Sequence, residues 1–215
     1  MKRFAFILAV IFAFVSCAAV PVSAAEDPSV GVHGTIDFAN IENNPDVSVS
    51  EVMTFTEMVE HYAMNAGITY EDALLAFPNM PNTRAVNDIY YRVLSVTLNV
   101  TEEYHPRLEF YCETAEGGNF RNINAIYSVQ LVRSYNGLSK QYSGVVEVWL
   151  RSSYAIEYTV NGDFYNNGAT NITGGGEVEI GIDQIAKIKF NVSGTYESSH
   201  YQYFYEHETA YYGNP

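Results

Sequence analysis

The chain has 215 residues, 47% of them hydrophobic and 14% aromatic, and carries 11 basic against 25 acidic side chains for a formal charge of −14. An acidic chain with no basic stripe repels phosphate backbones and anionic membrane surfaces, which excludes nucleic acid as a partner. The cysteines, Cys17 and Cys112, are too few for a disulfide framework, so the fold must rest on a hydrophobic core that a chain of this length can supply.

The first segment is built like an export signal. Met1-Lys2-Arg3 is basic, residues 4–15 are apolar without a break, and Val22-Ser23-Ala24-Ala25 offers small residues. A basic start, an apolar stretch and a small-residue exit are the parts of a secretory signal peptide, with cleavage expected after Ala24 or Ala25. The apolar run falls short of the about 20 residues that span a bilayer, so no stable transmembrane span is expected after cleavage. Residues 1–24 are therefore expected to direct the chain out of the cell. A competing reading anchors the chain through a lipid on Cys17, although Phe14 stands where a lipobox places a small aliphatic residue. The cleaved chain keeps 9 basic and 25 acidic residues, a net charge of −16, and only Cys112. Cys112 continues the alternation Leu108, Phe110, Cys112 and is expected to be a buried small hydrophobe.

From Arg3 to Arg84 there is no lysine or arginine, and ten acids fall in the gap. Residues 25–84 form this acidic region. A short strand is expected within 30–38. Phe55, Met58, Val59, Tyr62, Ala63 and Ala66 recur at helical spacing, with Gly67 placed to end the helix. Thr69 caps a second helix, Asp72 sits three residues on, and Pro78 stops it. The pair is an αα-hairpin. Its export and its lack of basic side chains exclude a DNA-reading role. Pro78, Asn79, Pro81, Asn82 and Arg84 then make an exposed connector. Two readings stay open for residues 25–84: an N-terminal subdomain with a linker, or a prosegment released by a trypsin-like cut between Arg84 and Ala85.

Residues 85–215 change to period two. Tyr90, Arg92, Leu94, Val96, Leu98 and Val100 share a face; residues 107–114 and 122–133 alternate around Gly117-Gly118; Asn136-Gly137 signals a hairpin. Residues 141–150, 153–160, 177–182, 186–192 and 201–212 complete about eight strands. Short strands with regular turn signals predict a mainly β fold, an antiparallel β-sandwich preceded by the small αα-hairpin. The last hairpin can be registered by pattern. A loop of Asp183, Gln184 and Ile185 would pair Ile180 with Ile188 and Val178 with Phe190, and set Glu179 against Lys189. On that register Glu177 and Glu179 are a solvated pair rather than the two carboxylates of a glycosidase.

Motifs of catalysis and metal binding are missing. His33, His61, His105, His200 and His207 show no ligand spacing, and His200 and His207 would face opposite sides of one strand unless a bulge intervened. Ser198-Ser199-His200 sets a hydroxyl beside an imidazole, but sequence neighbours rarely form a catalytic pair. No nucleophile elbow, phosphate loop or dinucleotide fingerprint occurs, so no catalytic residue, metal or cofactor is assigned. Three glycosylation acceptor patterns, at Asn99, Asn171 and Asn191, would matter only in a eukaryotic source.

Aromatic residues are the remaining signal. Sixteen of the eighteen tyrosines follow Arg84, as does the single Trp149. Tyr201, Tyr203 and Tyr205 are expected on one strand face, where an exposed ladder would suit stacking on sugar rings or on another protein. In this the chain resembles secreted β-sandwich carbohydrate-binding modules at the level of fold. Residues 98–101, 108–112 and 133–140 resemble those of small exported proteins of Gram-positive bacteria with no assigned activity. That resemblance covers roughly residues 54–212; it implies export and a β-domain and supplies no active site. The leading expectation is a secreted, non-catalytic binding protein using Tyr201, Tyr203, Tyr205 and Trp149 on a glycan or cell-surface protein. The alternative is a secreted toxin or antimicrobial protein activated at Arg84, with residues 168–176 and the hairpin after them as the inserting element. A hydrolase stands third and would require a cleft with converging carboxylates.

Overall fold

The computed structural model describes residues 36–77, 90–118, 120–175, 179–194 and 199–213. The expected signal peptide with Cys17 and Ala24, His33, the connector with Arg84, and Glu177, Val178 and Ser198 lie outside them.

The strands are β1 (Ile36–Asp37), β2 (Val47–Val49), β3 (Tyr90–Thr97), β4 (Arg107–Gly117), β5 (Phe120–Val132), β6 (Ser134–Tyr135), β7 (Leu138–Ser139), β8 (Gln141–Ser152), β9 (Ala155–Tyr165), β10 (Ala169–Gly174), β11 (Ile180–Gly181), β12 (Gln184–Ser193) and β13 (His200–Tyr211). A six-stranded sheet runs β1-β13-β9-β8-β12-β10, and a five-stranded sheet runs β11-β5-β4-β3-β2. All pairs within them are antiparallel except β1 with β13. The antiparallel sandwich read from the alternation is present, with more strands than eight because several are only two or three residues long.

The inward alternation builds the main core. Leu94, Val96, Leu108, Phe110, Cys112 and Ile126 from one sheet meet Val146, Val148, Leu150, Ile156, Val160 and Ile188 from the other. Cys112 is fully buried, and burial pushes its thiol above the ordinary range, so it serves packing. Asn136 and Gly137 both take positive φ, 46° and 78°, and join β6 to β7 as the Asn-Gly signal requires.

The acidic region is built into this sandwich. β1 borders the six-stranded sheet and β2 borders the five-stranded one. Helix α1 (Phe55–Ala66) starts in a capping box between Thr54 and Glu57 and ends at Gly67 with φ 68°; α2 (Tyr70–Leu74) is capped by Thr69. Their apolar face, Met58, Val59, Tyr62, Ala63, Ala73 and Phe77, covers Val93, Tyr111, Ala125 and Tyr127 on the outer side of the five-stranded sheet. This second core is rich in edge-to-face rings: Tyr62, Phe77 and Tyr111 lie 5.2–5.9 Å apart between centroids. A polar network runs through it, although the buried Ser128 hydroxyl opposite Tyr111 finds no hydrogen-bond partner among the described residues. The Tyr111 hydroxyl sits between Glu109 Oε2 at 2.8 Å and Gln130 Oε1 at 2.7 Å, and Asn65 of α1 donates to Glu109 at 2.9 Å. Glu109 is 2% exposed, so these partners and Arg107 replace its water.

The register expected for residues 178–190 is corrected. Ile180 pairs with Ile126 in the five-stranded sheet, whereas Ile188 pairs with Val146 in the six-stranded one. The chain crosses between layers at Asp183, whose φ is 61°, and Gln184 Oε1 accepts the Gly181 N–H at 3.0 Å. An arch that sends both arms inward from opposite sheets carries the same alternation as a hairpin, so the pattern alone does not separate them. Glu179 consequently has no cross-strand Lys189; the ion pair on β12 joins Lys187 to Glu147.

A charged knot closes the end of the sandwich beside β2. Arg92 reaches Glu116 through Nε at 2.5 Å and Nη2 at 2.9 Å, and Tyr212 donates to Glu116 at 2.5 Å. These bonds, Arg92 first, hold the Glu116 carboxyl at about 2, below its ordinary 4.5. Lowering of the folded-state value means stability that is complete above about 4.5 and is lost as pH falls toward 2. Glu116→Gln should lose that acid dependence, of the order of 2–3 kcal/mol. Urea titrations at pH 7 and pH 3 check it: the gap between wild type and variant should shrink at pH 3, and an unchanged gap refutes the assignment.

Candidate functional site

The outer side of the six-stranded sheet has no layer on it among the described residues. Its side chains follow from the register. Tyr205 lies across from Asn161 and then Val145; Tyr203 lies across from Asp163 and then Ser143. Tyr203 and Tyr205 are 44% and 53% exposed, and the Tyr203 hydroxyl donates to Asn161 Oδ1 at 3.0 Å. Thr159, Glu157, Glu147 and Lys187 lie beside them, and the same face also carries Val145, Trp149 and exposed Ile185.

Tyr201 is not on this face, which corrects the expected three-tyrosine ladder. The pairing of β13 with β9 shifts between His200 and Gln202. A bulge of one extra residue reverses side-chain direction on one side of it. Tyr201 therefore turns inward, packs edge-on against Tyr104 at 5.9 Å, and shares a hydrogen bond of 2.9 Å with the Thr101 hydroxyl. Lys140 Nζ stands 4.2 Å from its ring centroid.

The same bulge brings His200 to the side of His207. His200 Nε2 is 2.8 Å from Asp163 Oδ1, and His207 Nδ1 is 2.8 Å from the Thr159 hydroxyl. Among the described residues, no group of three histidine, cysteine or acidic side chains is arranged to hold a metal ion. Ser199 is buried, whereas His200 is exposed and paired with Asp163. Trp149 does share the outer face. It lies half-buried across from Glu157 and Ile185, with the Arg151 guanidinium 4.7 Å from its ring centroid. From Tyr205 it is two strands over and four residues along, roughly 16 Å away at ordinary sheet spacing. Trp149 and the tyrosine pair thus form a diagonal rather than a continuous ladder.

A second feature was not foreseen. Between β1 and β2 the chain crosses from the edge of one sheet to the edge of the other, through a single 3₁₀ turn, Ile41–Asn43. Beneath the crossing lies a cavity of about 440 Å³, lined by Ile36, Asp37, Asn40, Asn43, Asn44, Asp46, Val96, Thr97, Asn99 and Glu206. Glu206 points inward from β13, is 9% exposed, and accepts the Tyr158 hydroxyl at 2.7 Å. Burial, followed by the charge of Glu206, pushes the Tyr158 hydroxyl well above its ordinary range, so it stays a donor. The signal in the sequence was the density of Asp and Asn over residues 37–46, which reads equally well as an ordinary turn-rich loop.

The fold and these surfaces define a mainly β protein of the sandwich class, with one open sheet face and one polar cavity at its edge. No protein-family model matches the chain, and no curated protein or solved structure matches it. No helix among the described residues is long and apolar enough to cross a membrane.

Proposed function

We propose that the chain is an exported, non-catalytic binding protein that engages a glycan or a cell-surface protein through the outer face of its six-stranded sheet. The observation that carries this reading is the exposure of Tyr203 and Tyr205 on a face that no described element covers. Two adjacent rings offer flat apolar area with hydroxyls at the rim, and the surrounding Asn161, Asp163 and Thr159 offer hydrogen bonds. The net negative charge favours a neutral or cationic partner. Export follows from the signal peptide, with cleavage after Ala24 and lipid attachment at Cys17 as the competing form; the mass of the mature N-terminus separates the two.

A glycan array on the full mature chain tests the binding. Tyr203→Ala and Tyr205→Ala should each weaken a positive signal roughly fivefold or more, since losing one stacking ring costs on the order of 1 kcal/mol. Absence of binding, or binding indifferent to both substitutions, refutes the role of this face. Cleavage of a glycan by the wild type, lost in Glu206→Gln, would replace the non-catalytic reading with a hydrolase, because Asp37, Asp46 and Glu206 meet at the cavity.

A further inference from the structure

We infer that the cavity beneath the 38–46 crossing is a binding site for a neutral, hydroxyl-rich ring of the size of a sugar unit. This inference concerns a different surface from the tyrosine face and stands independently of it.

The cavity has a fixed frame. Phe38 N–H donates to Tyr211 at 2.7 Å, Thr97 N–H to the Asp46 carbonyl at 2.7 Å, and Val47 N–H to Asn44 at 3.3 Å, so both ends of the crossing are tied to the sheets. Phe38 itself is 1% exposed and anchors the crossing in the main core. Side chains on the rim are also set: Asp37 accepts the Ala39 N–H at 2.8 Å, Asn43 donates to Asn40 Oδ1 at 2.8 Å, and Asn99 Oδ1 lies 2.9 Å from His105 Nδ1. A site formed before the ligand arrives loses little entropy on binding.

The lining selects the ligand by its hydrogen-bonding capacity. Four carboxamides, on Asn40, Asn43, Asn44 and Asn99, each present donors and an acceptor, while Asp37, Asp46 and Glu206 only accept when ionised. No lysine, arginine or histidine is among the lining residues, so an anionic ligand finds no opposing charge and is repelled by the carboxylates. A bare cation would satisfy the carboxylates but leave the carboxamide N–H groups without acceptors. A hydroxyl donates and accepts at once, so a ring bearing several of them answers both kinds of group. Ile36 and Val96 add apolar wall for the C–H side of such a ring. Burial of Glu206 strengthens its hydrogen bonds by keeping water away. The volume lies within the roughly 300–1,000 Å³ range of small-molecule sites.

The test is saturation-transfer NMR and calorimetry on the full mature chain. The probes are glucose, galactose, mannose and N-acetylglucosamine, with glucosamine and calcium chloride alone as separate arms. At least one neutral sugar should bind, and Asn43→Ala and Glu206→Gln should each weaken it at least tenfold. Asn43 is exposed, so its truncation leaves folding intact and keeps the test decisive if Glu206→Gln misfolds. Binding of glucosamine or calcium without any neutral sugar overturns the inference, as does no binding at all. Sugar binding that Tyr203→Ala abolishes and Asn43→Ala leaves unchanged also overturns it, while supporting the outer face.

Discussion

A chain that begins at Ala85 is expected to be recovered unfolded or aggregated. Without residues 36–77 the five-stranded sheet loses β2 and the whole covering of its outer side, and the six-stranded sheet loses β1. Met58, Val59, Tyr62 and Phe77 are buried against that sheet, and each large side chain is worth roughly 1.5–3 kcal/mol of burial. Their sum, on the order of 6–12 kcal/mol, is comparable to the about 5–15 kcal/mol of net stability that a domain commands. Glu109 would further lose Asn65 while keeping its charge. By the same reasoning, a chain cut between Arg84 and Ala85 after folding should keep its two pieces together through gel filtration. This outcome separates the two readings of the acidic region. Release of the N-terminal piece under native conditions, leaving a folded remainder, would support a prosegment; co-elution would support a permanent part of the fold.

Gly162→Ala is expected to destabilise the protein by about 4 kcal/mol or more, at the severe end of single substitutions. Gly162 and Gly144 face each other across β9 and β8 on the inner side of the sheet. A Cβ on Gly162 would stand 2.4 Å from the Ser143 carbonyl oxygen, 2.7 Å from Gly144 Cα and 2.8 Å from the Tyr142 hydroxyl. Two of these contacts are backbone and cannot rotate away. The space is taken up because fully buried Tyr142 reaches forward along its own strand over both glycines and donates to the Val145 carbonyl at 3.2 Å. Tyr142→Phe combined with Gly162→Ala should therefore recover only a small part of the loss, because the backbone contacts remain. Denaturant unfolding of the three variants checks this, and a mild effect of Gly162→Ala alone would refute the close-approach account. The neighbours Asn161 and Asp163 hold Tyr203 and His200 on the opposite side, so the same substitution should also disorder the exposed tyrosine row.

What was legible in the sequence was local. Thr69 set the start of α2 through its side-chain cap, Gly67 ended α1 through its left-handed backbone, and Asn136-Gly137 set a turn through its own backbone preferences, whereas the Thr54–Glu57 capping box was not read from the sequence. The inward-facing alternation of β3, β4, β8 and β9 was legible for the same reason. What was not legible depended on which sheet a strand joins. The arch at Asp183 and a hairpin have one pattern, and a single unpaired residue near Tyr201 reverses a face without changing any residue type. The helical cover over Tyr111 and Tyr127 was hidden because tyrosines that bury a ring and bond a hydroxyl look like surface residues in a hydropathy pattern. The cavity was least legible, since Asp37, Val96 and Glu206 come together only when both sheets are assembled.

The pairing of Ile36 with Ala210 has a consequence in time. A chain emerging from a ribosome N-terminus first presents β1 long before its partner strand exists. The six-stranded sheet has no complete edge, and the cavity has no Glu206, until the last described strand is out. Closure of the longest loop in the fold thus comes last, and contacts so distant in sequence form slowly. The two-sheet core therefore cannot be completed until the last described strand has been synthesised.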